Sequence, residues 1–262
     1  MTSTEVVAYL GALAWAPQLM QWGYNFYTKP CIRVIPDRAA QVGYTIFGPI
    51  FNLRLSIDVS KKDTIIDFIG VQLKHESGAS YDFEWMGMNE VFSEVITTGV
   101  NSNGGNQIVQ KDVSPIAIKV SSISLVEKFF RFQEKKYIYE NRIKSNALIQ
   151  SHNMAIKMKK EGKNVDFIWR ELEDYMSFLR EKFIWQPGKY TMSFELRSPI
   201  KFNYTQGKYE FELTQADVET LNLNFSEMES IKYNMENEIE NKQETMKEIN
   251  WVWINPQVIK SD

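Results

Sequence analysis

IFNLRLSIDV, residues 50–59, decides the fold class. Phe51, Leu53, Leu55, Ile57 and Val59 alternate with Asn52, Arg54, Ser56 and Asp58. A period of two puts the apolar set on one face and the polar set on the other, as in an antiparallel strand with one buried and one wet side. The same pattern spreads in both directions. Lys61, Lys62 and Asp63 make a polar turn, and Ile69, Val71 and Leu73 share one face of the next strand. After a turn at residues 76–79, Tyr81, Phe83 and Trp85 alternate, completing a meander of three strands. Residues 31–35 and 41–46 are weaker strands before it. Residues 101–107 (NSNGGNQ) carry turn chemistry, and Ile116, Ile118 and Val120 share a face of a short strand at 115–120.

A helical block interrupts the strands. Ser122 or Ser124 is placed to cap a helix running to about Glu161, where Gly162 stops it. In the second helix, 165–184, Ile168, Leu172, Tyr175, Met176, Leu179 and Phe183 recur at spacings of three and four on one face. The two are expected to form an antiparallel hairpin. Strand pattern then resumes with Tyr190, Met192, Phe194 and Leu196, and again with Tyr209, Phe211 and Leu213. Residues 214–251 admit two readings. Val218, Leu221, Phe225, Met228, Met235, Ile239, Met246 and Ile249 fit a heptad seam, whereas Leu221, Leu223 and Phe225 also alternate. Thr214 with Asp217 three residues on has the form of a capping box and favours helix. Trp251, Trp253 and Pro256 make a final extended piece.

PGKYTMSFELRS, residues 187–198, resembles a late strand of immunoglobulin-like sandwiches, in which a Pro-Gly turn precedes a tyrosine-containing strand. The resemblance covers a dozen residues and lacks the paired cysteines of that family. The expected fold is therefore α+β: an antiparallel β-sandwich of immunoglobulin-like architecture over 29–121 and 186–214. It carries an inserted helical hairpin at 122–185, an apolar N-terminal helix at 1–28, and a C-terminal helix and tail at 215–262. Phe51, Leu53, Leu55, Ile69, Val71, Leu73, Phe194 and Leu196 are the expected core.

The N-terminal thirty residues are the unusual part. Residues 6–16 (VVAYLGALAWA) are unbroken apolar sequence, Pro17 follows, and Trp22, Tyr24, Phe26 and Tyr27 cluster before the first cation, Lys29. A signal peptide fits poorly, because no cation precedes the run and Pro17 would follow the Ala14-Trp15-Ala16 cleavage site. A spanning helix needs about 20 apolar residues, a length reached only by including Gln18, Gln21 and Asn25. A helix lying in the headgroup plane wants basic residues on its polar face, and this one has none. A helix packed on the body, ended or kinked at Pro17, is the remaining reading. The segment is expected to touch a membrane or a protein partner through Leu10, Leu13, Trp15, Leu19, Trp22, Tyr24, Phe26 and Tyr27. Cations lie only on its C-terminal flank, so a spanning segment would leave the body cytoplasmic, at the inner face of a membrane.

No chemistry-bearing motif is present. P-loop, dinucleotide-binding, zinc-protease and nucleophile-elbow patterns are absent. The two histidines, His75 and His152, lie in different predicted elements, and Asp63, Asp67 and Glu84 form a carboxylate group of low specificity. The single cysteine, Cys31, excludes an internal disulfide and a cysteine zinc cluster. No cofactor is implied. A net charge of -3 over 262 residues argues against nucleic acid as partner. Charge is uneven, however. Lys128, Arg131, Lys135, Lys136, Arg142 and Lys144 crowd the first predicted helix and are the expected contacts for an anionic partner, best an anionic lipid. The last helical stretch is rich in Glu, so the two could instead neutralise each other. The chain thus reads as a non-enzymatic interaction or scaffold protein, with a homo-oligomer through its helices among the allowed assemblies. An enzyme or ligand sensor with a dispersed site is the alternative.

Overall fold

The structure, a computed structural model, describes residues 3–96, 105–114, 116–241 and 245–261, with side chains except those of 3–13, 25, 89–96 and 105–112. In chain order the elements are α1 (Ser3–Tyr27), β1 (Cys31–Thr45), β2 (Gly48–Ser60), β3 (Thr64–Ile66), β4 (Phe68–His75), β5 (Ser80–Ile96), β6 (Gly105–Val113), β7 (Ile118–Val120) and β8 (Val126–Glu134). There follow α2 (Lys135–Lys160), α3 (Phe167–Glu181), β9 (Gly188–Arg197), β10 (Asn203–Thr205), β11 (Tyr209–Leu213), α4 (Gln215–Asn222), α5 (Asn224–Glu240), β12 (Trp253–Ile254) and β13 (Ile259–Lys260).

Eleven of the described strands form one large curled sheet rather than the two packed sheets of a sandwich, and β3 and β7 pair apart from it. Its path runs β1-β2-β8-β5-β4-β9-β11, every neighbour antiparallel. Alternation along a strand shows only that one face is buried, and a sheet can bury that face against itself by curling. Phe51 of β2 stacks on Phe211 of β11 at 5.5 Å, although four strands lie between them along the path. Tyr190 stacks in turn on Phe211 at 5.1 Å, and Phe83 on Trp185 at 5.9 Å. All eight residues expected in the core are buried, and β4 from before the helical block pairs with β9 from after it, with Ile69 opposite Leu196 and Val71 opposite Phe194.

The C-terminal tail joins the two edges of the curl. Trp253 and Ile254 pair with Gly43 and Val42 of β1, Ala40 N–H donates to Pro256 O at 3.1 Å, and Val258 N–H donates to Arg38 O at 2.8 Å. The tail then passes to β11, with Ile259 opposite Glu210 and Lys260 opposite Tyr209. A bulge between Pro36 and Ala40 offsets β1 against β2 and turns Arg38 and Ala39 toward this tail. Gly43 is required here: a Cβ on it would come within 2.3 Å of the Trp253 ring.

Helices cover one end of the curl. Tyr44 Oη donates to Leu179 O, Trp185 Nε1 donates to Gly43 O at 3.0 Å, and Tyr137 Oη donates to Ile46 O at 2.7 Å. Burial pushes the Tyr44 and Tyr137 phenols well above their ordinary range, so both remain donors. The hairpin forms across Gly162, whose φ of +72° is a left-handed position suited to glycine. Leu148, Ala155, Val165, Ile168, Leu172 and Ile239 build a second small core among α2, α3 and α5.

Three boundaries differ from the sequence reading. The first helix does not begin at Ser122 or Ser124. Residues 126–134 are strand β8, in the middle of the sheet between β2 and β5, and the helix begins at Lys135. Its cap is Glu134, whose carboxylate accepts from Lys136 N–H at 3.1 Å and Tyr137 N–H at 2.6 Å. Ser121 and Ser122 instead bind Asp63, with Ser122 N–H at 2.7 Å. The expected loop 101–107 overlaps β6, which includes 105–107 and pairs with β5; residues 101–104 lie outside the described residues. The last helix ends at Glu240, so Met246 and Ile249 are not part of a helical seam. The Thr214–Asp217 capping box is formed, each side chain accepting from the other's backbone N–H.

Candidate functional site

Helix α1 continues through Pro17 to Tyr27 instead of stopping there. From residue 14 on, its large described side chains are not packed on the body. Trp15, Leu19, Met20, Trp22, Tyr24, Phe26 and Tyr27 are 56–82 % exposed. Among the described residues its ring contacts are internal, Trp22 stacking on Phe26 at 5.8 Å and Phe26 meeting Tyr27 edge-on at 5.4 Å. Trp15, Leu19, Trp22 and Phe26 fall at i, i+4, i+7 and i+11, a single stripe flanked by Gln18, while Gln21 and Tyr24 lie on the other side. Leu10 and Leu13 belong to the same helix, but their side chains lie outside the described residues. No helix among the described residues is long and apolar enough to cross a membrane.

The six expected anion-contact residues do not form one helical face. Lys128 and Arg131 lie on strand β8, an odd number of positions apart and so on opposite faces of the sheet. Lys135, Lys136, Arg142 and Lys144 are exposed on α2. Lys135 pairs with Glu84 at 3.0 Å, an ion pair that raises its affinity for the proton, and Lys144 lies over the Phe178 ring at 5.2 Å. The hairpin and the acidic helix partly neutralise each other, through Lys159 with Glu240 at 3.1 Å, Arg180 with Glu229 at 2.5 Å, and Lys232 with Glu173.

The histidines are apart, on β4 and α2. His75 Nδ1 is bound by Ser77 Oγ at 2.8 Å and by Ser77 N–H at 3.2 Å, while Nε2 lies 3.1 Å from Pro187 O. Both ring nitrogens are thus engaged in fixing the β4–β5 turn against the start of β9. A serine held two residues from its histidine, with that nitrogen also taking the serine's own amide, is a turn rather than an activated nucleophile. His152 is buried in α2, 3.6 Å from Glu238. Asp63 and Glu84 are held apart by different partners, Ser122 and Lys135. No cluster among the described residues has the ligands to hold a metal ion.

Two concavities stand out among the described residues. One, about 420 Å³, lies on the outer face of the sheet over Gly70, which is flanked across the strands by Glu84 and Glu195. Phe68 covers the glycine, and Arg197 lies over the Phe68 ring at 4.1 Å. Glu84 pairs there with Lys135 at 3.0 Å and Glu195 with Arg197 at 3.1 Å, while the third carboxylate, Asp82, accepts from Gln72 Nε2 at 3.1 Å. Glu195 is the member that sequence reasoning missed, because only the β4–β9 pairing brings it beside Gly70. The other, about 820 Å³, is an open cleft between the β1 bulge and the tail, lined by Arg33, Arg38, Tyr209 and Lys260.

What the fold and surface define is a curled-sheet protein with a helical cap and an exposed aromatic helix. No family model matches the chain, and no curated protein or solved structure matches it.

Proposed function

We propose that the protein is a non-enzymatic interaction protein held at a membrane surface by α1, presenting its curled sheet and helical hairpin to a partner. One observation carries this reading: the stripe Trp15, Leu19, Trp22 and Phe26 is exposed on a helix that makes no ring contact with the body among the described residues. Burying a large apolar side chain is worth about 1.5–3 kcal/mol, so four together supply at least about 6 kcal/mol of gross driving force. A headgroup layer suits this stripe better than a protein groove, because Trp and Tyr prefer that boundary. The sheet itself has the wrong polarity to face lipid: its inside is apolar and its outside carries Arg54, Asp82, Glu84 and Glu195, opposite to a membrane barrel.

Full-length protein should float with phosphatidylcholine vesicles, and the double variant Trp22→Asp, Phe26→Asp should lose at least about tenfold in partitioning without a change in melting temperature. Protein that stays in the soluble fraction, or a variant that floats equally well, overturns the proposal. A second reading, a ligand sensor or enzyme, finds its support in the groove over Gly70, and ranks second because two of the three carboxylates there are already paired with cations.

A further inference from the structure

We propose that the end of the curled sheet from which α1 springs is itself a docking face for an anionic phospholipid bilayer. This deepens the proposed function and rests on α1 meeting a membrane. Several chain segments converge at that end. Cys31, which opens β1 after α1, pairs with Ser60 at the end of β2, and Asn203 N–H donates to Pro30 O at 2.9 Å. The turn after β2 is joined to residues 121–122 through Asp63, β3 pairs with β7, and Thr64 Oγ1 lies 3.3 Å from Ser198 Oγ. Around this rim stand large apolar side chains that the fold leaves in water. Ile123 is 94 % and Ile116 88 % exposed, and Ile65, Leu125 and Ile200 are exposed as well.

Between these apolar tips stand exposed lysines: Lys29, Lys61, Lys119 and Lys201. The acids at this end offset them only in part. Asp58 is taken by Arg33 at 3.0 Å, so four lysines stand against two carboxylates, Asp63, held ionised by the Ser122 hydrogen bonds with Lys119 nearby, and the exposed Asp67. Isolated apolar tips separated by lysines do not make the continuous patch of a protein interface. They match a headgroup layer, where single isoleucines enter the acyl boundary and lysines stay at the phosphates. An interfacial helix wants basic residues that α1 lacks; the rim at its root supplies them. With α1 in the headgroup plane and this rim against the bilayer, the helical cap at the far end points to solvent.

The test uses the full chain with vesicles of phosphatidylcholine alone, or with added phosphatidylserine, at low and physiological salt. Each lysine near an anionic surface gives about a fivefold gain in partitioning, so the wild type should gain at least about tenfold from phosphatidylserine and lose most of that gain with salt. The triple variant Lys61→Glu, Lys119→Glu, Lys201→Glu should lose this gain while keeping its binding to phosphatidylcholine. Ile116→Asp with Ile123→Asp should weaken binding to both. All these side chains are exposed, and unchanged melting temperatures confirm folded variants. A phosphatidylserine gain that persists in the triple variant overturns the docking face and leaves the α1 reading standing. A gain that persists when Trp22→Asp, Phe26→Asp abolishes phosphatidylcholine binding supports the docking face on its own. Absence of binding to every vesicle overturns both.

Discussion

Phe51→Ala should destabilise the protein by about 3–5 kcal/mol and lower its melting temperature by roughly 10 °C. Phe51 is fully buried on β2 and stacks on Phe211 at 5.5 Å, with Phe83 at 6.3 Å. The ring therefore bridges strands that are distant along the sheet, and its removal opens a cavity where the curl closes on itself. Leu55→Ala, fully buried on the same face, should cost about 2–5 kcal/mol. Phe47→Ala in the exposed β1–β2 turn is the control and should shift the melt little. A Phe51→Ala melt indistinguishable from Phe47→Ala contradicts the interior described above.

Asn224→Leu is expected to cost about 2–4 kcal/mol and to loosen the C-terminal tail. Asn224 is fully buried at the start of α5. Its Nδ2 donates to Val252 O at 2.8 Å, and its Oδ1 accepts from Val252 N–H at 2.7 Å. Leucine leaves both backbone groups of Val252 without those partners just before the tail pairs with β1. Hydrogen exchange at Ala40 and Val258, whose amides bond across the tail junction, should accelerate more than exchange at Val71 in the middle of the sheet. Unchanged exchange at Ala40 and Val258 shows that Asn224 does not hold the tail.

The legible parts of the sequence were those with one dominant period. β2 and α3 present one buried face each, so a period of two or of three to four identified them, and the Thr214–Asp217 box marked a helix start by local chemistry alone. Strand β8 was misread as helix because its charges mask the alternation of Val126, Phe130 and Phe132; the aromatic run Phe129 to Phe132 was the available sign of strand. The curl was not legible, because its closure depends on pairings such as Gly43 with Trp253 between short segments far apart in sequence. The stripe of α1 is visible as composition, but the exposure of its described side chains is not. The rim was hidden for the same reason, since Ile65, Ile116, Ile123 and Ile200 meet only through the β3–β7 pairing and the Asp63 and Thr64 contacts.

The central claim, that α1 lies in the plane of a membrane surface, is tested most directly by spin labels on the full chain in a Cys31→Ser background. Labels go on Leu19→Cys in the apolar stripe and on Gln21→Cys and Tyr24→Cys on its other side. With vesicles present, the label at 19 should become accessible to dissolved oxygen and shielded from an aqueous nickel chelate, while those at 21 and 24 remain open to the chelate. All three labels staying open to the chelate, or all three sinking to the depth of a spanning helix, contradicts the account.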